Sequence, residues 1–282
     1  MAEQVDIYET AITTTYRRHL WSRFLKAVLE YKLIRDGDVI CVCISGGKDS
    51  MVMAKLFMAL KKFMNMNFEV KYLVMNPGYN ENTMALIKEN LVKLNIPAEI
   101  HETNIFEVAN AQTKSPCFLC AKMRRGALYN ISKAMGCNKI ALGHHYDDVI
   151  ETTLMNMLSS GSFQTMLPKL HSTNYPGMEL IRPMYYIREK DIIRFAKTYD
   201  LNFIRCACKF TERSEDENDE LVSRRKEIKE LIKQLKKTIP QVEDNLFNAP
   251  NNVTLDMILG YKEGGIYHSF LDDYDKENDG DK

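Results

Sequence analysis

A chain of 282 residues is long enough to bury a full core and short enough to be one large domain with appendages. With 45% apolar and 27% charged residues it reads as an ordinary globular protein; no apolar run approaches a membrane span, residues 1–8 carry no signal-peptide core, and the expected compartment is the cytoplasm. The formal net charge of zero hides a segregation: residues 272–282 hold six acids and two lysines, so 36 basic residues face 32 acidic ones elsewhere, and a polyanionic partner is not excluded.

Residues 8–34 have helical periodicity, with Ile12, Tyr16, Leu20, Phe24, Ala27 and Tyr31 on one face. The spacing predicts one long helix whose Arg17, Arg18, Arg23 and Lys26 are either solvated or in contact with a nucleic-acid backbone. From Asp38 onward strands and helices alternate. Strands are expected at 39–44, 68–75, 98–102 and 139–142, and helices at about 49–64, 82–94 and 121–135. That alternation specifies an α/β fold, a parallel sheet with helices on both faces. Ligands in such sheets bind beyond the carboxyl ends of the strands, so the strand ends are where chemistry is sought.

The first strand end carries the strongest signal. The apolar run at 39–44 turns into a helix through Ser45, Gly46, Gly47, Lys48, Asp49 and Ser50. The glycines let the backbone bend and approach a ligand, the N–H groups at the helix start point at phosphate, and Lys48 and two hydroxyls add donors. A Walker A loop is excluded, because Asp49 stands where the magnesium-binding hydroxyl belongs and no glycine lies at the required distance upstream. A carboxylate beside a phosphate cradle needs a cation or a catalytic role to offset its repulsion. The hexapeptide resembles the PP-loop of ATP pyrophosphatases, which cut ATP to AMP and pyrophosphate while adenylating a carbonyl or ureido oxygen.

After the second strand, Met75 and Asn76 are placed to offer backbone groups to an adenine edge, as the corresponding strand end does in the enzymes this sequence resembles. After the fourth come Gly143, His144, His145, Tyr146, Asp147 and Asp148, then Glu151. Carboxylates at that place either cap the helix or, opposite a triphosphate loop, hold Mg2+ through oxygen ligands. This stretch also looks like the second nucleotide motif of the PP-loop family, which implies nucleotide contacts at Gly143, His144 and Asp148.

Cys117 and Cys120 stand three positions apart at a bend into a helix, and Cys206 and Cys208 follow much later. Three readings compete for these four: a zinc site, a redox pair, or an iron–sulfur cluster on Cys117, Cys120 and one of Cys206 or Cys208. Cys41, Cys43 and Cys137 lie in or beside apolar strands and read as small buried hydrophobes. The loop at 45–50, the run PCFLCAKMRRGALY, the run IALGHHYDDVIETTLMNM and the segment IRPM…REKDI…CAC occur in the order of the tRNA 2-thiocytidine synthetase (TtcA) family. The resemblance covers roughly residues 10–255. It implies an adenine-nucleotide α-hydrolase-like fold and a [4Fe-4S] cluster on three cysteines, with one iron free of protein ligands. The Cys-x-Cys here, where family members often have Cys-x-x-Cys, leaves the third ligand open between Cys206 and Cys208, with a lean towards Cys208.

In the last third, 180–184 and 189–199 read as a strand and a helix. Residues 212–220 form an acidic polar stretch and 221–239 a helix carrying Arg224, Arg225, Lys226, Lys229, Lys233, Lys236 and Lys237, a candidate contact for RNA phosphates. The organisation expected is an N-terminal helical segment at 1–36, a PP-loop domain with the cysteine site at 37–210, a helical extension at 211–260 and a disordered acidic tail at 261–282. By resemblance the chain is a tRNA thiolase that uses ATP, Mg2+ and a [4Fe-4S] cluster to adenylate a pyrimidine carbonyl, cytidine C2 in the anticodon loop, and replace its oxygen by sulfur. Ser45, Gly46, Gly47, Lys48 and Ser50 would hold the phosphates, with Asp49 and Arg124 positioning groups and stabilising charge. The partners implied are tRNA and a sulfur donor such as a cysteine desulfurase; no membrane is implied, and a homodimer is admitted. The rivals are a 2-thiouridine or lysidine enzyme and a zinc-stabilised RNA-binding protein.

Overall fold

The computed structural model describes residues 6–111, 116–204 and 220–274, so Cys206, Cys208 and most of the acidic stretch at 212–220 lie outside the described residues. The N-terminal stripe folds as three pieces instead of one long helix: α1 (Ile7–Thr13), a π-helical turn (Arg17–Trp21) and α2 (Ser22–Glu30). The reason is in the spacing. Ile12, Tyr16, Leu20 and Phe24 repeat every four residues, longer than the 3.6 of an α-helix, and a wide turn with Tyr16 N–H donating to the Ala11 carbonyl (2.8 Å) keeps all four buried. Arg17 and Arg18 are exposed, and Arg23 is half-buried and pairs with Asp191 at 3.0 Å.

The alternating region forms β1 (Val39–Ile44), α3 (Lys48–Phe63), β2 (Glu69–Asn76), α4 (Glu81–Lys93), β3 (Ala98–Glu102), the short α5 (Ile105–Asn110), α6 (Pro116–Ala134), β4 (Lys139–Ala141), α7 (Tyr146–Ser160), β5 (Lys169–His171), β6 (Glu179–Ile181) and α8 (Glu189–Thr198). The sheet order is β3-β2-β1-β4-β6-β5, parallel except for β5 against β6. Side chains alternate across β1. Ile40, Val42 and Ile44 enter the larger core with α1 to α4, α7 and α8, whereas Cys41 and Cys43 enter a smaller one with Cys137 and Tyr129 of α6. These thiols are the small hydrophobes expected. Contact with Cys41 and burial push the Cys137 thiol far above the usual cysteine range; contact with Cys137 works the other way on the Cys41 thiol, but Cys43 and burial outweigh it and push that thiol up too, so both stay protonated.

β6 ends three residues earlier than its apolar run, because Arg182 turns the chain, its N–H donating to the Pro168 carbonyl at 2.8 Å, and Pro183 supplies no ladder donor. Beyond the undescribed segment, α9 (Glu220–Thr238) and α10 (Val242–Asn248) lie against α7. Ile228, Ile232 and Phe247 belong to the same core as Ile12 and Phe24, so both ends of the chain are extensions in sequence and parts of one core in space. A hairpin, β7 (Gly260–Glu263) and β8 (Ile266–Ser269), occupies the start of the stretch read as a disordered tail. Gly264 and Gly265, at φ 57° and 86°, make the two-residue turn such a hairpin needs. Residues 275–282 lie outside the described residues.

Candidate active site

β1 and β4 are hydrogen-bonded neighbours whose connections run to opposite halves of the sheet, so a crevice opens above their carboxyl ends. The loop 45–50 and the loop 143–148 meet there. Gly46 has φ +86°, a conformation side chains rarely adopt, and a Cβ on it would fall 2.7 Å from Ile87. Gly143 is needed for a different reason: a Cβ there would sit 3.2 Å from the backbone of Asp49 and Ser50. The two loops are thus packed backbone to backbone.

Ser50 is a strut of the loop. Its hydroxyl donates to the Gly47 carbonyl at 2.9 Å and accepts the Ser45 N–H at 3.1 Å, closing the loop on itself. No side chain caps the first turn of α3, leaving its N–H groups open to an anion. Lys48 Nζ lies 3.1 Å from Asp49 Oδ2 and 3.0 Å from Glu189 Oε1; burial opposes its charge, but the two carboxylates hold its pKa above the usual lysine value. Asp49 Oδ1 is buried without a hydrogen-bond partner.

Of the paired carboxylates, Asp147 turns away. It accepts the Glu189 N–H at 2.7 Å and pairs with Arg188 at 3.2 Å, fixing the start of α8. Asp148 caps the helix and also lines the crevice. Its Oδ2 accepts the His145 N–H at 2.9 Å in a capping box, while the side chain also faces the crevice. Burial works against its ionisation, but His145, through charge and its backbone N–H, and Arg225 hold its carboxyl below the usual range. His144 is pushed down to about 4 by burial and is neutral, with Nδ1 unpartnered, which suits a base or ribose contact better than a phosphate. Glu151 is pushed up to about 7 by burial.

A cavity of about 430 Å³ joins these loops to α6. Ser45, Asp49, Met75, Gly143, His144 and Asp148 line it from the sheet, and Ala121 and Arg124 from the helix. Arg124 donates to Tyr79 Oη at 3.4 Å, and Tyr79 in turn donates to the Ser45 carbonyl at 3.5 Å, a link that no local pattern in the chain foretells. Asn76 is spent on structure, since its carbonyl accepts the Thr103 N–H and its side chain the N–H groups of Gly78 and Tyr79; Met75 is the one that reaches the cavity. Cys120 is buried beside Met75, Ile105 and Phe106, one residue before Ala121, with Cys117 one helical turn earlier on α6. The cysteine helix and the nucleotide loops therefore share one cavity.

A second cavity of about 590 Å³ shares Asp49 and Asp148 and opens between the loop and α9. Glu189, Arg225 and Lys229 line it. Arg225 and Lys229 were legible only as charges on a basic helix; their direction came from packing. Glu189 left no signal beyond standing in the REKDI run.

Residues 17–212 match the ATP-binding family described as the PP-loop domain. The chain is 32% identical over 231 residues to the tRNA-cytidine(32) 2-sulfurtransferase of Pelobacter propionicus, covering 81% of this chain and 83% of the relative. It is 34% identical to that of Geotalea uraniireducens, covering 82% and 90%. Among solved structures, the U34-tRNA thiolase NcsA from Methanococcus maripaludis with its [4Fe-4S] cluster superposes with a TM-score of 0.64 over 86% of this chain and 79% of that one, at 21% identity, a shared fold. A phosphate loop at the reversal point of the sheet, and identity of this level over most of both chains, make this chain a member of the PP-loop family and, within it, of the tRNA-cytidine(32) 2-sulfurtransferase group.

Proposed function

We propose that this chain is an ATP-dependent tRNA thiolase that adenylates O2 of a cytidine in the anticodon loop and replaces that oxygen by sulfur. The observation that carries the reading is the shared cavity: nucleotide loops on one wall and the helix of Cys117 and Cys120 on the other. The relatives' activity on tRNA-cytidine(32) names the substrate class.

A pyrimidine carbonyl oxygen is a poor leaving group, and joining it to AMP makes it a good one. The open N–H groups of α3 and Lys48 hold the phosphates, and Ser50 keeps the loop in shape. Met75, Gly143 and His144 receive the nucleoside. Attack of the base O2 on the α-phosphate expels pyrophosphate, and displacement at C2 by sulfur then expels AMP. Arg124, reaching the same cavity from α6, is placed to stabilise charge on the adenylated oxygen.

Mg2+ would be held by Asp49 and Asp148, where it neutralises phosphate charge; the orphaned, buried Oδ1 of Asp49 fits an oxygen ligand in want of a cation. Among the described residues no three His, Cys, Asp or Glu side chains converge as a metal cage, and an ion bound by two carboxylates and substrate phosphates needs none. The iron–sulfur cluster would be held by Cys117, Cys120 and Cys206 or Cys208, and when bound it supplies the site from which sulfur is delivered. A cysteine desulfurase is the class of donor that would replenish it.

The test is nucleoside mass spectrometry of tRNA after anaerobic incubation with the protein, ATP and a sulfide source. Appearance of 2-thiocytidine is expected. Accumulation of 2-thiouridine or lysidine with no 2-thiocytidine would replace this substrate by another.

A further inference from the structure

The adenylation chemistry leaves the basic residues of α9 at the larger cavity without a role. Ile228 and Ile232 are buried in the main core, which fixes the rotation of the helix. Arg225 and Lys229, one turn apart, consequently face the PP-loop, whereas Arg224, Lys233 and Lys237 stay in solvent. Lys229 donates to one oxygen of Glu189, and Lys48 Nζ lies 3.0 Å from the other. One carboxylate thus bridges the loop lysine and the helix lysine, a geometry that a phosphate with two free oxygens reproduces.

Arg225 is held more loosely. It stands 3.8 Å from Asp148 Oδ1 and 3.6 Å from Glu151 Oε2, beyond hydrogen-bond reach, so neither contact consumes a guanidinium donor. Burial keeps Glu151 partly protonated at neutral pH, which weakens its hold further. The cavity between loop and helix, about 590 Å³, has room for a polyphosphate chain.

We propose that Arg225 and Lys229 bind the β- and γ-phosphates of ATP, the part that departs as pyrophosphate, and that Glu189 holds Lys48 and Lys229 in place until those phosphates displace it. The inference rests on ATP occupying the PP-loop. It gives α9 the task of stabilising the leaving group, from an element more than 170 positions further along the chain than the loop itself.

The experiment is calorimetric titration of the full-length, cluster-loaded protein with magnesium pyrophosphate and, separately, with AMP. Arg225→Gln combined with Lys229→Gln should weaken pyrophosphate binding by about tenfold or more while AMP changes by less than about twofold. Lys229→Arg should restore most of the loss, and Glu189→Gln should tighten pyrophosphate binding by removing its competitor. Unchanged pyrophosphate affinity in the double variant, with Lys48→Gln weakened, overturns the proposal and leaves the PP-loop reading standing. Unchanged affinity in Lys48→Gln as well sinks the PP-loop reading itself. Loss of tRNA affinity and of its salt dependence, with pyrophosphate binding intact, assigns α9 to RNA and overturns the proposal, as does equal weakening of AMP and pyrophosphate.

Discussion

Asp49 separates this loop from β,γ-cleaving loops, and its surroundings say what it does there. One oxygen pairs with Lys48, and the other is buried without a hydrogen bond, 3.7 Å from His145 Nε2, a placement that a bound cation or a reacting group would relieve. Asp49→Ala should lower AMP formation in a single-turnover assay by about a hundredfold or more while tRNA binding by filter assay stays near that of the native protein. A folded variant of full activity refutes this role. Glu189 is also a stability group. Burial disfavours its charge, but hydrogen bonds from Lys229 and Lys48 outweigh that and hold its carboxyl down to about 2. Because the folded value lies below the unfolded one, the stabilisation is complete above about pH 4.5 and is lost as pH falls towards 2. Glu189→Gln should therefore cost about 1–2 kcal/mol in urea unfolding at pH 7, after solvent screening, and less at pH 3.

At the scale of elements, the loop is held by what stands behind α3. Lys55 is fully buried in that helix, with Asp6 Oδ2 at 2.7 Å, Glu9 Oε1 at 3.0 Å and the Leu94 carbonyl at 2.9 Å, so a single ammonium ties α1 and the end of α4 to α3. Lys55→Met removes the buried ammonium shared by Asp6 and Glu9, leaving Glu9 with Lys62 at 2.9 Å and Asp6 with the N–H groups of Tyr8 and Glu9, and should destabilise the fold by about 3 kcal/mol, read as a lower midpoint in urea, with pyrophosphate affinity per folded molecule little changed. The loop after β4 behaves differently. Gly143→Ala places a Cβ 3.2 Å from the backbone at Asp49 and Ser50, which must move apart, and KM for ATP should rise by about tenfold with a smaller stability loss. An unchanged KM would mean that the two loops move independently. The basic helix α9 is a candidate RNA contact by its charges, yet the structure sets Arg225, Lys226 and Lys229 at the cavity above the loop and leaves Arg224, Lys233 and Lys237 in solvent for that part.

For the molecule as a whole, the two chemistries should separate by mutation. Cys120 is buried in an apolar cluster with Met75, Ile105 and Phe106, apart from the loop at 45–50, so Cys117→Ala or Cys120→Ala should lose iron and thiolation together while ATP binding survives. Anaerobically purified native protein should carry four irons, with AMP and pyrophosphate as the nucleotide products; stoichiometric zinc without iron, or ADP with phosphate, would refute the scheme. What the sequence determined by itself was local. Val39–Ile44 as a buried strand, the loop at 45–50 as a glycine-bearing turn into a helix and Asp148 at a helix start each rest on a few adjacent residues whose backbone preferences and charges act within one turn. Even the four-residue stripe of Ile12, Tyr16, Leu20 and Phe24 was legible, although the wide turn it requires was not inferred from it. Only the tertiary structure decided which side of α9 faces the loop, that Asp147 serves α8 while Asp148 faces the cavity, and that Glu189 stands between two lysines. Those outcomes depend on helix rotation, set by where Ile228 and Ile232 find the core, and such long-range packing leaves no short-range pattern in the chain.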